Sequence, residues 1–194
     1  MIKDSLGIDV ACKKFDVCLS TIFQDQSVKV IATRKFANNL KGFEELYKWF
    51  QSRYKDKGVP CVICMEATGI YYEQLALFLS DKKASVSVVL PNKAKKYLQS
   101  IGLKSKNDKI DARGLAQMGA EQKLTLWLPQ GKYFYILRAL TRQLQSIQEL
   151  KTSANNQAHA SKLAMYELKF VLKQQQKLLK HYDKLIGELI QQIE

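Results

Sequence analysis

Two short apolar runs in this chain carry a carboxylate where a solvated surface acid is not expected. Ser5-Leu6-Gly7-Ile8-Asp9-Val10-Ala11 encloses Asp9, and Cys61-Val62-Ile63-Cys64-Met65-Glu66 ends in Glu66. A second pair, Asp108 and Asp111, stands three residues apart in Lys106-Asn107-Asp108-Lys109-Ile110-Asp111-Ala112-Arg113. That spacing puts both on one helical face. Taken singly, each acid has an ordinary reading. Asp9 suits a turn or a cap, Glu66 a cap for a helix after Gly69, and the Asp pair a helix N-terminus favoured by the macrodipole. Taken together, converging carboxylates repel unless a cation neutralises them. Hard oxygen ligands suit Mg²⁺, with Mn²⁺ as the alternative.

The pattern around these acids is that of an α/β domain. Ser5–Val10 reads as a strand, alternating Phe15–Thr21 as its hairpin partner, and Val28–Phe36 as a third strand after a turn at Gln24-Asp25-Gln26. Asn39 can cap a helix whose apolar stripe is Phe43, Leu46, Tyr47 and Phe50. Cys61–Met65 is continuously apolar, as in a parallel strand buried on both faces. Gly69 opens a turn into a helix through Tyr72, Leu75, Ala76 and Leu79. Ser85–Leu90 is a further strand. Pro91 starts a basic helix to about Ile101, and another helix runs from about Asn107 to Gln122. Three strands followed by alternating helices and strands match a ribonuclease H-like mixed sheet flanked by helices.

Beyond the break at Pro129-Gln130-Gly131 no strand signal appears, which divides the chain into residues 1–129 and 130–194. Ile136, Leu137, Leu140, Leu144, Ile147 and Leu150 recur at helical spacing. Polar Ser153 to Ser161 predicts a bend or a loosened helix. Leu168, Val171, Gln175, Leu178, Tyr182, Leu185 and Leu189 follow a heptad-like rhythm, widened by Leu172, Leu179, Ile186, Ile190 and Ile193. The expectation is an antiparallel helical hairpin or an oligomerising coiled coil, projecting rather than packing back on the core. The rhythm runs to Glu194 with no stop signal, as in a truncated helix.

Lys and Arg number 31 against 18 Asp and Glu, a formal charge of +13, and that surplus favours a polyanionic partner. Acidic metal ligands within a basic protein point to phosphodiester chemistry on nucleic acid. Lys93, Lys95, Lys96, Lys104 and Lys106 form a run without acids, interleaved by Tyr97 and followed by Arg113, and are candidate phosphate contacts. The alternative is a solvated lysine face. Arg34, Lys35, Arg138 and Arg142 can extend the basic surface. No run is long and apolar enough for a transmembrane helix, and the N-terminus enters a strand too early for a signal peptide. Cys61 and Cys64 form a C-x-x-C, but on a strand residues three apart point to opposite faces. Reduced core thiols and a cytosolic location are expected.

In order and at these spacings, Gly7-Ile8-Asp9-Val10-Ala11 with Phe15-Asp16-Val17, Met65-Glu66-Ala67-Thr68-Gly69, Val88-Val89-Leu90-Pro91 and Lys106-Asn107-Asp108-Lys109-Ile110-Asp111-Ala112 resemble the N-terminal half of DEDD-type transposases of bacterial insertion sequences. That family includes Piv-like DNA invertases and bridge-RNA-guided recombinases, and its N-terminal domain resembles the Holliday-junction resolvase RuvC. The resemblance covers essentially the whole chain, residues 130–194 matching the family's coiled-coil segment. It implies Asp9, Glu66, Asp108 and Asp111 as catalytic metal ligands, DNA as substrate, a structured guide RNA, and a homodimer or homotetramer formed through the helical segment in the bacterial cytoplasm. It also implies a nucleophilic serine on a further C-terminal domain that this chain lacks, so no serine here is assigned that role. Asn107 departs from the Thr often found before the Asp, and metal binding should tolerate it. Thr68 is expected to support the Glu66 turn.

Two other readings remain. A hydrolytic nuclease or junction resolvase would use the same acids with water, and a non-catalytic nucleic-acid-binding scaffold would use them structurally. An actin-like or sugar-kinase ATPase can begin with a similar Gly-x-Asp strand. It needs a second such domain and a glycine-rich phosphate loop, for which this chain has no room.

Overall fold

A computed structural model describes residues 1–54, 58–102 and 108–194, with the side chains of 108–110 excepted. The chain divides into two compact units, Met1–Pro129 and Gln130–Glu194.

In the first unit, β1 (Lys3–Val10), β2 (Lys14–Ile22), β3 (Val28–Ala37), β4 (Cys61–Glu66) and β5 (Val86–Val89) form one sheet in the order β3-β2-β1-β4-β5. The pairs β1/β2 and β2/β3 are antiparallel, while β1/β4 and β4/β5 are parallel. Helices α1 (Leu40–Arg53), α2 (Glu73–Asp81), α3 (Pro91–Ser100) and α4 (Asp108–Glu121) flank it. This is the ribonuclease H-like mixed sheet expected from the strand pattern.

Strand alternation sorts the side chains into two layers. Leu6, Ile8, Phe15, Val17, Leu19, Ile63 and Met65 face one way and pack with Phe43, Leu46, Trp49 and Phe50 of α1 and Leu75, Ala76 and Leu79 of α2. Asn39 caps α1, its side chain accepting the Gly42 amide hydrogen at 2.9 Å. On the opposite face Cys64 and Val89 pack with Ala94 of α3 and with Leu115 and Met118 of α4. Cys61 and Cys64 therefore belong to different layers, and all four cysteines are free thiols.

The two sheet edges differ. After α4 the chain returns along β5, where the Trp127 amide donates to the Val86 carbonyl at 2.8 Å and the Ser87 hydroxyl to the Thr125 carbonyl at 2.9 Å. The other edge is β3, which carries Lys29, Arg34 and Lys35 and has a register irregularity opposite Leu19/Ser20.

The second unit is a helical hairpin of α5 (Lys132–Lys162) and α6 (Lys169–Ile193). Lys151 pairs with Asp183 at 2.5 Å and Gln175 donates to Ser161 at 3.0 Å, so the helices run antiparallel. The bend expected over Ser153–Ser161 is not there. Alanine is the best helix former, and Ala154 and Ala158 are buried in the seam of one continuous helix. The turn falls instead at Leu163–Leu168. On α6 the less exposed residues are Leu172, Gln175, Leu179, Tyr182, Leu185, Ile186, Leu189 and Ile193. Leu168, Val171 and Leu178 of the expected rhythm lie outside that seam, Val171 and Leu178 being 40% and 41% exposed.

Candidate functional site

The sheet register brings the first two acids together. Gly7 pairs with Cys64 and Ile8 with Met65 in parallel register, so Asp9 and Glu66 occupy the next positions, side by side at the C-terminal ends of β1 and β4. Alternation puts both on the α4 side of the sheet, with Gly7 and Cys64. Both are partly buried. The Thr68 hydroxyl donates to Glu66 Oε1 at 3.1 Å and the Thr68 amide to the Glu66 carbonyl at 2.9 Å, the supporting role expected of Thr68. Gly69 then turns the chain with φ +58°, a conformation that costs glycine little.

Helix α4 lies across this face in close contact with β1. A Cβ built on Gly7 would stand 2.2 Å from both the Ala112 carbonyl oxygen and the Ala116 amide nitrogen. One built on Gly119 would stand 2.2 Å from Ser5 Oγ. Helix and strand thus run in opposite directions, Gly119 over Ser5 and Ala112–Ala116 over Gly7. One strand step beyond Gly7 is Asp9, and one helical turn before Ala112 is position 108, with Asp111 between. The strand step of about 6.8 Å and a helical turn of about 5.4 Å keep the two in approximate register. The side chain of Asp108 lies outside the described residues. Asp111 is partly buried.

The loops behind the two strand ends are tied to each other. Asn38, just after β3, donates its amide to the Ala11 carbonyl at 2.9 Å and to the Tyr71 carbonyl at 3.1 Å. Its own backbone amide donates to Lys13 at 3.0 Å. One side chain thus joins the loop after Asp9 to the loop after Glu66. Nothing in the local sequence announces it.

The register also adds an acid that the sequence reading passed over. Asp16 of β2 is the direct partner of Asp9 and shares its face. Its carboxylate meets Lys35, its partner on β3, at 3.1 Å. Lys35 therefore sits beside the acids.

All-carboxylate donors have the chemistry of a Mg²⁺ or Mn²⁺ site. Among the described residues no three His, Cys, Asp or Glu side chains approach closely enough to hold a metal. Asp9, Glu66 and Asp111 border one surface without closing on a common point.

Of the basic candidates, Lys93, Lys95 and Lys96 are exposed along α3, whereas Lys104 and Lys106 lie outside the described residues. Tyr97 turns inward. Its hydroxyl donates to Glu121 Oε2 at 2.6 Å and fastens α3 to α4. Burial, and then the Glu121 carboxylate, hold its phenol well above the usual range. Arg113 is exposed on α4, near enough to Cys18 of β2 for its charge to act on that thiol. Among the described residues no helix is long and apolar enough to cross a membrane.

Residues 6–166 match the family model of the IS110-type DEDD transposases, described as a transposase. The pilin gene-inverting proteins of Moraxella lacunata and Moraxella bovis are each 36% identical over 143 residues, 74% of this chain. The chain spans 42% of the length of these curated relatives. Among solved structures, Thermus thermophilus RuvC aligns with a TM-score of 0.47 at 9% identity, over 64% of this chain and 99% of its own. The fowlpox virus Holliday junction resolvase aligns with a TM-score of 0.40 at 16% identity, over 58% and 93%. With the family model covering most of its length, the chain belongs to the IS110-type DEDD transposase family.

Proposed function

We propose that this chain is the acid-bearing part of a DNA recombinase that moves or inverts DNA by phosphoryl transfer at phosphodiesters. The observation that carries this reading is the placement of Asp9 and Glu66 on adjacent parallel strand ends, beneath the helix that begins with Asp108 and Asp111. Family membership and the inversion named for the Moraxella relatives support it. Asp9, Glu66, Asp108 and Asp111 would hold divalent metal, Mg²⁺ or Mn²⁺. A divalent cation there supplies Lewis-acid polarisation of the scissile phosphate and charge stabilisation of the leaving oxygen.

The chain's own residues do the rest of the positioning. Thr68 orients the Glu66 carboxylate, and Asn38 ties the loop after Asp9 to the loop after Glu66. Lys93, Lys95, Lys96, Lys104, Lys106 and Arg113 contact phosphates of DNA or of a structured guide RNA. The attacking serine comes from outside these residues. Residues 1–129 form the catalytic unit, and residues 130–194 a coiled-coil segment that assembles two or four copies. The protein works in the bacterial cytoplasm.

The test is calorimetric titration of the chain with Mn²⁺, comparing wild type with Asp9→Asn and Glu66→Gln. Binding heat in the wild type that is lost in both variants is the expected result. Equal heats in all three would overturn the assignment. Metal-dependent nicking of plasmid DNA by this chain alone would favour the hydrolytic nuclease. Nucleic-acid binding unmoved by chelator or by Asp9→Asn, with no metal heat, would favour the scaffold.

A further inference from the structure

Four charged residues form one row across the sheet on the α4 side: Lys35 on β3, Asp16 on β2, Asp9 on β1 and Glu66 on β4. The Ala11 amide donates to the Lys14 carbonyl at 2.9 Å, which marks the pair two residues on from Asp9 and Asp16 as hydrogen-bonded. Asp9 and Asp16 have the same alternation, so their Cα atoms are about 5.5 Å apart. Like charges directly opposite each other on a sheet destabilise it. The Asp16 side chain is only 8% exposed, so little water screens it, and Lys35 at 3.1 Å offsets its charge. A purely structural ion pair would fit at many places on this sheet. Directly beside another carboxylate is among the least favourable.

We infer that Asp16 and Lys35 are positioning residues of the acidic site: Asp16 strengthens the row's hold on a divalent cation, and Lys35 is a resident counter-charge that offsets Asp16 until that cation binds. The inference rests on the metal-site reading above. The Lys35 side chain is 42% exposed, so its ammonium can move into solvent when the charge balance of the row changes.

The two residues make opposite demands on affinity. Asp16→Asn removes a negative charge one interstrand spacing from Asp9, and the lost attraction would weaken divalent-ion binding about tenfold even in a water-like dielectric. Lys35→Met removes a competing positive charge farther away and tightens binding about fourfold. Lys35→Arg keeps the charge and should keep wild-type affinity. The experiment is Mn²⁺ titration of the full 194-residue chain by calorimetry, with Asp9→Asn alongside. Melting temperatures are taken in chelator and in saturating Mn²⁺. The expected pattern is weaker binding by Asp16→Asn, tighter binding by Lys35→Met, and a Lys35→Met melting deficit that is smaller in Mn²⁺ than in chelator. Affinity unchanged or weakened in Lys35→Met, with Asp9→Asn abolishing the heat, overturns the inference and leaves the metal site standing. That holds even where Asp16→Asn does not fold. No Mn²⁺ heat from the wild type removes the site reading and this inference with it.

Discussion

Gly7 and Ala116 meet backbone against backbone, with 2.2 Å between the Ala116 nitrogen and the place a Gly7 Cβ would take. Neither partner is a flexible side-chain end that could move aside. Gly7→Ala should therefore push α4 off β1, costing about 1–3 kcal/mol as other overpacking changes do. It should also weaken Mn²⁺ binding, because the acidic end of α4 moves with it. Gly187→Ala is the control. Nothing lies within 4 Å of its built Cβ, and it sits inside α6, so it should be neutral or stabilising by up to about 1 kcal/mol. Urea unfolding of the two variants checks the contrast.

Asn38 makes a second prediction. Asn38→Asp keeps the shape but removes both donors and faces a carboxylate toward two carbonyls. A loss of about 1–3 kcal/mol is expected. Hydrogen exchange should speed up around residues 11–14 and 67–71 while the amides of β1 and β4 stay protected. Uniform loss of protection would show that Asn38 supports the whole sheet and not the two loops.

The thiols give a pH signature. Burial pushes both Cys61 and Cys64 up to about 12, against an ordinary 9.0. A raised thiol binds its proton more tightly in the folded state, so its contribution is complete below about 9 and is lost as pH rises toward 12. Burial lowers Lys3, which acts in the opposite sense as pH rises to its ordinary 10.5. With two thiols and Tyr97 on one side, net stability should fall above pH 9. Chemical denaturation at pH 8 and pH 10 tests the sign. At pH 8 under native conditions iodoacetamide should label exposed Cys12 and spare Cys64.

The hairpin separates two kinds of apolar residue. Leu179 and Ile186 lie in the α5–α6 seam, while Val171 and Leu178 form a flank. Leu179→Glu should lower helicity by circular dichroism. Val171→Glu with Leu178→Glu should keep helicity and lower the mass seen by light scattering. An unchanged mass would refute self-association through this flank.

Local chemistry made most of the elements legible. Asn39 announces a helix start, the Cys61–Met65 run a buried strand, and Asp9 and Glu66 stand out because apolar neighbours surround them. What the sequence hid depends on register. Asp16 lies seven residues from Asp9 along the chain and becomes its neighbour only when β1 and β2 pair. Asn38 acts on carbonyls 27 and 33 residues away. The sequence leaves the hairpin seam open because α6 carries two overlapping apolar stripes, and one sequence does not say which of them meets α5. The polar run at Ser153–Ser161 suggests a bend, yet its small residues Ala154 and Ala158 suit a close helical seam.

The unequal sheet edges bear on solubility. At β5 the returning segment through Trp127 runs along the edge and takes the Val86 carbonyl, so the chain itself obstructs growth there. At β3 the protection is only charge and an irregular register. Neutralising Lys29, Arg34 and Lys35 together would leave a ten-residue strand with exposed Val30 and Ile31 as a template for edge-to-edge pairing. Lys35 would then be retained for colloidal reasons as well as for its neighbour Asp16, and a screen for soluble expression would select for it even where catalysis is not required.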